Sequence, residues 1–272
     1  MIQLVFFDVD GTLLGRDGHY SQALKNQIQR IQKQGVRTAI ASGRPPFACE
    51  FLFRELNLTA TGVFFTGALI YDPEQQKTLF EASIDKALLS RLLKDISAAS
   101  IYCELYTDRA HFVAETSELS QSHGAHLRAS ANTAELASFT DKSAAATLKL
   151  LIGVDERERP DALQALAARF PQCHFAYARF PAWPNWLFAS VIASGADKTK
   201  AFERLLAHHQ VSAEQVMAFG DAGSDKTFLQ LAGKGIAMGN ADEDVKAVAD
   251  EVTLPVWEDG IAHSLATFIP ES

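Results

Sequence analysis

Ile2-Gln3-Leu4-Val5-Phe6-Phe7-Asp8-Val9-Asp10-Gly11-Thr12 is an apolar run that stops abruptly at an acidic turn. A short continuous apolar run of this kind belongs to a strand covered on both faces, which places Ile2 to Phe7 at the centre of a parallel sheet. Ser21 then offers an N-cap to a helix whose apolar positions Leu24, Ile28 and Ile31 recur at helical spacing, and Gly35 stops it before the next run, Val36 to Ala41. Together these make one βαβ unit. A third run, Val63 to Phe65, ends at Thr66-Gly67, after which Leu69 to Tyr71 and Thr78 to Phe80 flank Asp72-Pro73 as in a hairpin. Parallel pairing is expected to give way to antiparallel pairing there.

Beyond about Ser83 the texture changes. A helical stretch, Leu88 to Ile96, is followed by strand-like runs at Tyr102 to Tyr106, His111 to Ala114, Leu148 to Ile152, His174 to Tyr177 and Leu187 to Val191, with a helix at Ala162 to Arg169 and no acidic strand ends. The doubly wound texture returns with a helix from Lys198 to His208, a strand from Val216 to Phe219, a helix from Lys226 to Ala232 and a strand from Ile236 to Met238. The expected fold is therefore α/β: a Rossmann-like doubly wound parallel sheet from residues 1–82 and 189–272, interrupted by an inserted α+β domain over 83–188. Two short hinges are expected near Ser83 and Ala189.

Composition excludes several classes. The 272 residues carry 33 acidic against 25 basic side chains, a formal charge of −8, which argues against a nucleic-acid binder driven by phosphate attraction. With 47% hydrophobic residues the chain can bury a substantial core, so neither disorder nor a small disulfide scaffold is expected. Cys49, Cys103 and Cys173 lack C-x-x-C spacing, and a reducing cytoplasm suits them. The opening MIQLVFF has no basic flank and meets Asp8 too soon for a signal peptide, and no run approaches a membrane span.

Asp8 and Asp10 stand at the carboxyl end of the first strand, where open α/β sheets place their ligands. Gly220-Asp221-Ala222-Gly223-Ser224-Asp225 occupies the same kind of place after the strand Val216 to Phe219. If Asp8, Asp10, Asp221 and Asp225 share a crevice, each close pair repels by about 4 kcal/mol at 4 Å and an effective dielectric near 20. Raised pKa values, a lysine or a divalent cation would relieve that, and an oxygen-only donor set points to a hard ion such as magnesium. Ser42-Gly43-Arg44, closing the second parallel strand, offers a hydroxyl, an approachable backbone N–H and a guanidinium, all phosphate-binding groups. Lys198 opens the helix after the insertion, so a cation arrives together with a helix N-terminus, again a setting for phosphate. Blander roles stand beside these: Asp225 as an early-helix acid, Lys200 as a rival to Lys198, Arg44 paired with a surface acid or a leaving group. Arg179 and Trp183, in an aromatic and proline-rich stretch around Pro181, are candidates for leaving-group contact or for plain packing.

The ordered set DVDGT, SGR, a lysine and GD-x-x-x-D resembles the haloacid dehalogenase superfamily of aspartate-nucleophile phosphatases. The long insertion, with Ala237-Met238-Gly239-Asn240-Ala241 and Asp259-Gly260-Ile261-Ala262 after it, is similar to the Cof-type sugar-phosphatase branch, in which the insertion is a cap domain. The resemblance implies a Mg2+-dependent phosphatase of small phosphorylated metabolites in which Asp8 attacks phosphorus and Asp10 acts as general acid and then base. It further implies that Asp8, the backbone carbonyl of Asp10, Asp221 and Asp225 surround the metal. Ser42, Gly43, Arg44 and Ser224 would meet the phosphate or substrate, and Lys198 would hold Asp8 ionised. Phosphoryl transfer to a second sugar hydroxyl, or phospho-ligand sensing without turnover, are the rival functions. Two positions depart from the branch: Ser224 and Thr66 stand where asparagine is usual, so a shift in phosphate geometry or substrate choice is expected.

Overall fold

The computed structural model describes residues 1–180 and 182–270. Contacts divide the chain into two compact units, one made of Met1–Leu79 with the residues from Asp197 onward, the other of Phe80–Ala196.

The first unit begins with β1 (Leu4–Phe7), every residue of which is buried. Helix α1 (Gln22–Lys33) starts where the Ser21 hydroxyl accepts the Leu24 N–H at 3.0 Å, and it turns Leu24, Ile28 and Ile31 inward. Next come β2 (Arg37–Ile40), α2 (Glu50–Glu55), β3 (Gly62–Phe64), β4 (Leu69–Asp72) and β5 (Lys77–Glu81). A single parallel bridge joins Ala41 to Val63, after which β3 and β4 pair antiparallel in a three-stranded sheet with β5.

The second unit holds α3 (Lys86–Ala98), β6 (Tyr102–Tyr106), β7 (His111–Val113), α4 (Glu118–Leu127), β8 (Asn132–Thr133), β9 (Lys149–Asp155), α5 (Ala162–Arg169), β10 (Cys173–Ala178) and β11 (Trp186–Ala193). Its six-stranded sheet runs β10-β11-β9-β6-β7-β8. Alternate residues of β6, β9 and β11, among them Leu105, Ile152 and Ala189, pack with Leu89 and Leu92 of α3 and Leu163 of α5 into one core. The expected hinge at Ala189 is wrong: Ala189 pairs with Ile152 on one side and Tyr177 on the other, in the middle of a strand. The unit therefore ends near 196, at the Ser194-Gly195 turn, because β11 keeps its pairing partners almost to that point. Glu104 is completely buried on the other side of this sheet, where it accepts from the Tyr102 and Tyr106 hydroxyls and pairs with His123 Nδ1 at 2.8 Å.

The first unit resumes with α6 (Lys198–His209), β12 (Val216–Gly220), α7 (Lys226–Leu231), β13 (Lys234–Ala237), α8 (Glu243–Lys246), β14 (Glu251–Val252) and α9 (Gly260–Phe268). Its main sheet has the order β14-β13-β12-β1-β2 with every pair parallel. The register that matters most is Phe7 opposite Phe219, since the residues just beyond each strand are then neighbours. The Asp8 N–H donates to the Phe219 carbonyl at 3.0 Å. No helix among the described residues is long and apolar enough to cross a membrane.

Candidate active site

The turn after β1 reverses within a few residues: the Leu13 and Leu14 amides donate back to the carbonyls of Asp8 and Val9, and Gly11 takes φ +80°. A Cβ at Gly11 would lie 2.2 Å from Asp221 Oδ2, so glycine is required both by the backbone and by the neighbouring carboxylate. The buried Thr12 hydroxyl donates to Asp221 Oδ1 at 2.8 Å. Asn240, in the turn after β13, donates to the Gly11 carbonyl at 2.9 Å and stands 3.5 Å from Asp221 Oδ2. Thr12 and Asn240 are the site residues whose work the sequence reading missed. Asn240 lay in a quoted motif, but Gly11, whose carbonyl it meets, is 229 residues away in sequence.

On the β12 side, Asp225 is buried and its Oδ2 accepts the backbone N–H groups of Asp221 and Ala222 at 3.1 and 3.0 Å. Its Oδ1 accepts the Ser224 hydroxyl at 3.1 Å and faces Lys198 Nζ at 3.7 Å. Lys198 also donates to the Ser224 carbonyl. The lysine was expected to act on Asp8, and the structure gives it Asp225 instead, because its helix begins beside the Gly223–Asp225 turn.

Asp8, Asp221 and Asp225 each bring one carboxylate oxygen to within 4.8 Å of the other two. Burial pushes the Asp8 carboxyl well above the usual range, and repulsion from Asp225, Asp221 and Asp10 adds to it. Asp221 is pushed up to about 7, first by burial and then by Asp225 and Asp10, against the lowering effect of the Thr12 hydrogen bond. Three crowded carboxylates with all-oxygen donors match a hard divalent cation, and one lysine beside them leaves negative charge in excess. The residues therefore fit the ion that the sequence implied.

Asp10 does not turn its carboxylate into this triad. Arg44, only 6% exposed, donates from Nε to Asp10 Oδ2 at 2.7 Å and from Nη2 to Oδ1 at 2.6 Å. The expected partners of Arg44 were phosphate, a leaving group or a surface acid, and it meets the second carboxylate of its own site. Ser42 is buried behind it, its hydroxyl accepting the Arg44 N–H at 3.3 Å. Gly43 faces the loop at 65–67, where a Cβ would come 3.3 Å from Thr66 Oγ1. In the second unit, Arg179 pairs with Glu156 and Trp183 packs edge-on against Trp186, while Pro181 lies outside the described residues.

Two of these observations give predictions. Gly11→Ala is expected to unfold at lower temperature, since the left-handed backbone alone costs about 1–2 kcal/mol. It should also bind magnesium about tenfold more weakly, because Asp221 has to move away from Thr12. Thermal unfolding and a magnesium titration check both parts. Thr66 has φ 57° and ψ 33°, within a left-handed run that includes Phe65 and Gly67. Asparagine tolerates that conformation and β-branched threonine resists it, which gives a backbone reason for the residue usual in the branch. Thr66→Asn should therefore raise the melting temperature by about 2–4 °C, the equivalent of about 1 kcal/mol. A lower melting temperature would show that the threonine hydroxyl does more than the backbone strain costs.

A parallel sheet with acids at the ends of two adjacent central strands defines a class, and comparison with known proteins gives it a name. A family model of haloacid dehalogenase-like hydrolases matches residues 5–265, and the chain belongs to this family. It is 28% identical to phosphatase YwpJ of Bacillus subtilis over 97% of this chain and 99% of that protein. It is 26% identical to the B. subtilis 5-amino-6-(5-phospho-D-ribitylamino)uracil phosphatase YitU, with 97% of each covered. Among solved structures, the HAD subclass IIB sugar phosphatase BT4131 superposes with a TM-score of 0.80 at 25% identity, covering 98% of both chains. The chain is accordingly a phosphoric monoester hydrolase.

Proposed function

We propose that the protein is a magnesium-dependent phosphatase of small polyhydroxylated phosphate esters, sugar phosphates foremost, working through an aspartyl-phosphate on Asp8. The observation that carries this reading is the convergence of Asp8, Asp221 and Asp225 beside an Asp10 turned out of their cluster. Two relatives support the substrate class: one is named for a phosphoribityl compound, the other as a sugar phosphatase.

In the first step an Asp8 oxygen forms a bond to phosphorus as the ester P–O bond breaks, and Asp10 gives its proton to the leaving oxygen. Asp10 ends that step ionised, the form that a guanidinium pairs with. In the second step Asp10 takes a proton from water, the water oxygen bonds to phosphorus, and the bond to Asp8 breaks to restore its carboxylate. Asp8, Asp221 and Asp225, with the Asp10 backbone carbonyl, would hold the magnesium, which when bound supplies charge screening between nucleophile and phosphate. Ser42, Gly43 and Ser224 are the neutral phosphate donors in this reading, and Lys198 contributes its charge alongside Asp225. Arg44 was expected to join the phosphate donors, but its Nε and Nη2 donate to the Asp10 carboxylate.

The test is phosphate release from glucose 6-phosphate, erythrose 4-phosphate, ribitol 5-phosphate, pyridoxal phosphate and nucleoside monophosphates, with magnesium and with EDTA. Magnesium-dependent release led by the polyol and sugar esters is the expected result. Release led by nucleotides, or release unaffected by EDTA, would overturn the substrate class or the metal dependence respectively.

A further inference from the structure

We infer that Arg44 is the positioning residue of Asp10: it fixes the plane and direction of the carboxylate that exchanges protons with the leaving group and with water. This rests on the reading of Asp10 given above. Asp10 lies on a turn with its side chain 46% exposed, so nothing in its own burial restricts where the carboxylate points. Arg44 is the opposite, buried just beyond β2, where its backbone N–H donates to the buried Ser42 hydroxyl. Its contact with Asp10 is two-point, Nε to one oxygen at 2.7 Å and Nη2 to the other at 2.6 Å, the fork arrangement that fixes direction as well as distance. A two-point contact from a rigid anchor sets orientation, whereas a lysine at the same place would supply charge without direction. Orientation is what a proton donor needs, because transfer requires hydrogen-bond reach to one particular oxygen.

The device also keeps Asp10 apart from the other three acids. Its two oxygens are committed to Arg44, while Asp8, Asp221 and Asp225 gather their own oxygens within 4.8 Å of one another. Two carboxylates two residues apart in sequence thus receive different surroundings, Asp8 among acids and Asp10 against a guanidinium.

The experiment compares kcat/KM for two esters in the full-length protein with magnesium: the sugar or polyol phosphate ranked first in the panel above, and 4-nitrophenyl phosphate. The alkoxide must be protonated as it leaves, whereas 4-nitrophenolate leaves unaided. kcat/KM is the quantity to read because it excludes hydrolysis of the phosphoenzyme, which both esters share. Asp10→Asn is expected to lower the value for the alkyl ester by about 10² or more and for the aryl ester by less than about tenfold. Arg44→Lys should reproduce the same bias, with a drop about tenfold larger for the alkyl ester than for the aryl one. The double variant should match Asp10→Asn, since a residue that acts through another has nothing left to do in its absence.

The ratio of the two esters within one preparation does not depend on the fraction folded, so a destabilised variant still gives an answer. Equal losses on both esters in Arg44→Lys would overturn the inference and leave the pair a structural one. A further loss in the double variant would overturn it by assigning Arg44 a direct contact with substrate. If Asp10→Asn itself treats the two esters alike, the reading of Asp10 as proton donor fails, and the assignment of Arg44 fails with it.

Discussion

Asp8→Asn is expected to abolish phosphate release and, in the metal-free protein at pH 7.5, to raise the melting temperature. The loss should reach about four orders of magnitude, because the amide keeps the shape of the carboxylate but is a far poorer nucleophile. The gain in stability follows from where Asp8 sits. Burial and three neighbouring acids hold its carboxyl well above the usual range, so the folded state resists the charge that an unfolded chain accepts freely. Such an acid keeps its proton in the folded state after the unfolded state has lost it. Its contribution is therefore most favourable below about pH 4 and is lost as pH climbs towards the folded-state pKa. Asparagine carries no charge to accommodate, and a rise of about 5 °C is expected at pH 7.5. Calorimetry in EDTA measures it directly. A variant that loses activity but melts earlier would mean that the Asp8 carboxylate is held by favourable contacts that outweigh the crowding.

Adding magnesium should stabilise the wild type strongly at pH 8 and hardly at all at pH 5. With Asp221 pushed up to about 7, that acid carries its proton at pH 5 and a cation has to displace it, while burial and the neighbouring acids shift Asp8 in the same direction. At pH 8 the Asp221 proton is largely gone, and magnesium at a hundred times its dissociation constant adds about 2.7 kcal/mol, or about 5 °C for a chain of this size. Near pH 7 binding should release protons, which isothermal calorimetry detects as a heat that varies with the ionisation enthalpy of the buffer. Phosphate release should follow the same course, disappearing in EDTA and returning with magnesium. An equal thermal shift at pH 5 and pH 8 would place the binding of magnesium somewhere other than the Asp8, Asp221 and Asp225 cluster.

Both predictions depend on acids that are visible in the sequence, and the reason is local. Leu4 to Phe7 and Val216 to Phe219 are runs that only buried strands sustain, and an aspartate straight after such a run stands at the rim of the sheet. Their adjacency follows from strand order, which the doubly wound pattern suggests and the pairing of β1 with β12 displays. The pairing of Arg44 with Asp10 could not be read in the same way. A guanidinium at the end of a strand suits phosphate, substrate or carboxylate equally well, and only the path of the turn after β1 decides among them. The family resemblance and the chemistry of a lysine at a helix start implied Lys198 beside Asp8, whereas the position of that helix start relative to Ser224 is a matter of packing. Of the elements that escaped notice, α2, α4, α8, β8 and β14 are short or carry few apolar residues, so they leave little periodic trace, while α9, with Ile261, Ala262 and Leu265 buried, was quoted only for the motif at its start. The edge of the second unit was misplaced because the strand Trp186–Ala193 ends in a small-residue turn, and composition alone did not separate strand from turn.

The pairing of β1 with β12 also has a bearing on the birth of the protein. Leu4 lies opposite Val216, so the central strand of the main sheet waits for a partner 212 residues later in the chain (216 − 4). At a synthesis rate of about 5–20 residues per second that wait lasts about 10–40 seconds. Throughout it one edge of β1 lacks the strand that will cover it, while the second unit, continuous from Phe80 to Ala196, already has all its own strands in hand. The acids of the site are equally divided, Asp8 emerging among the first residues and Asp221 and Asp225 near the last. A nascent chain halted before β12 thus carries Asp8 without the two acids that gather beside it, and the cluster is assembled only when the sheet is closed.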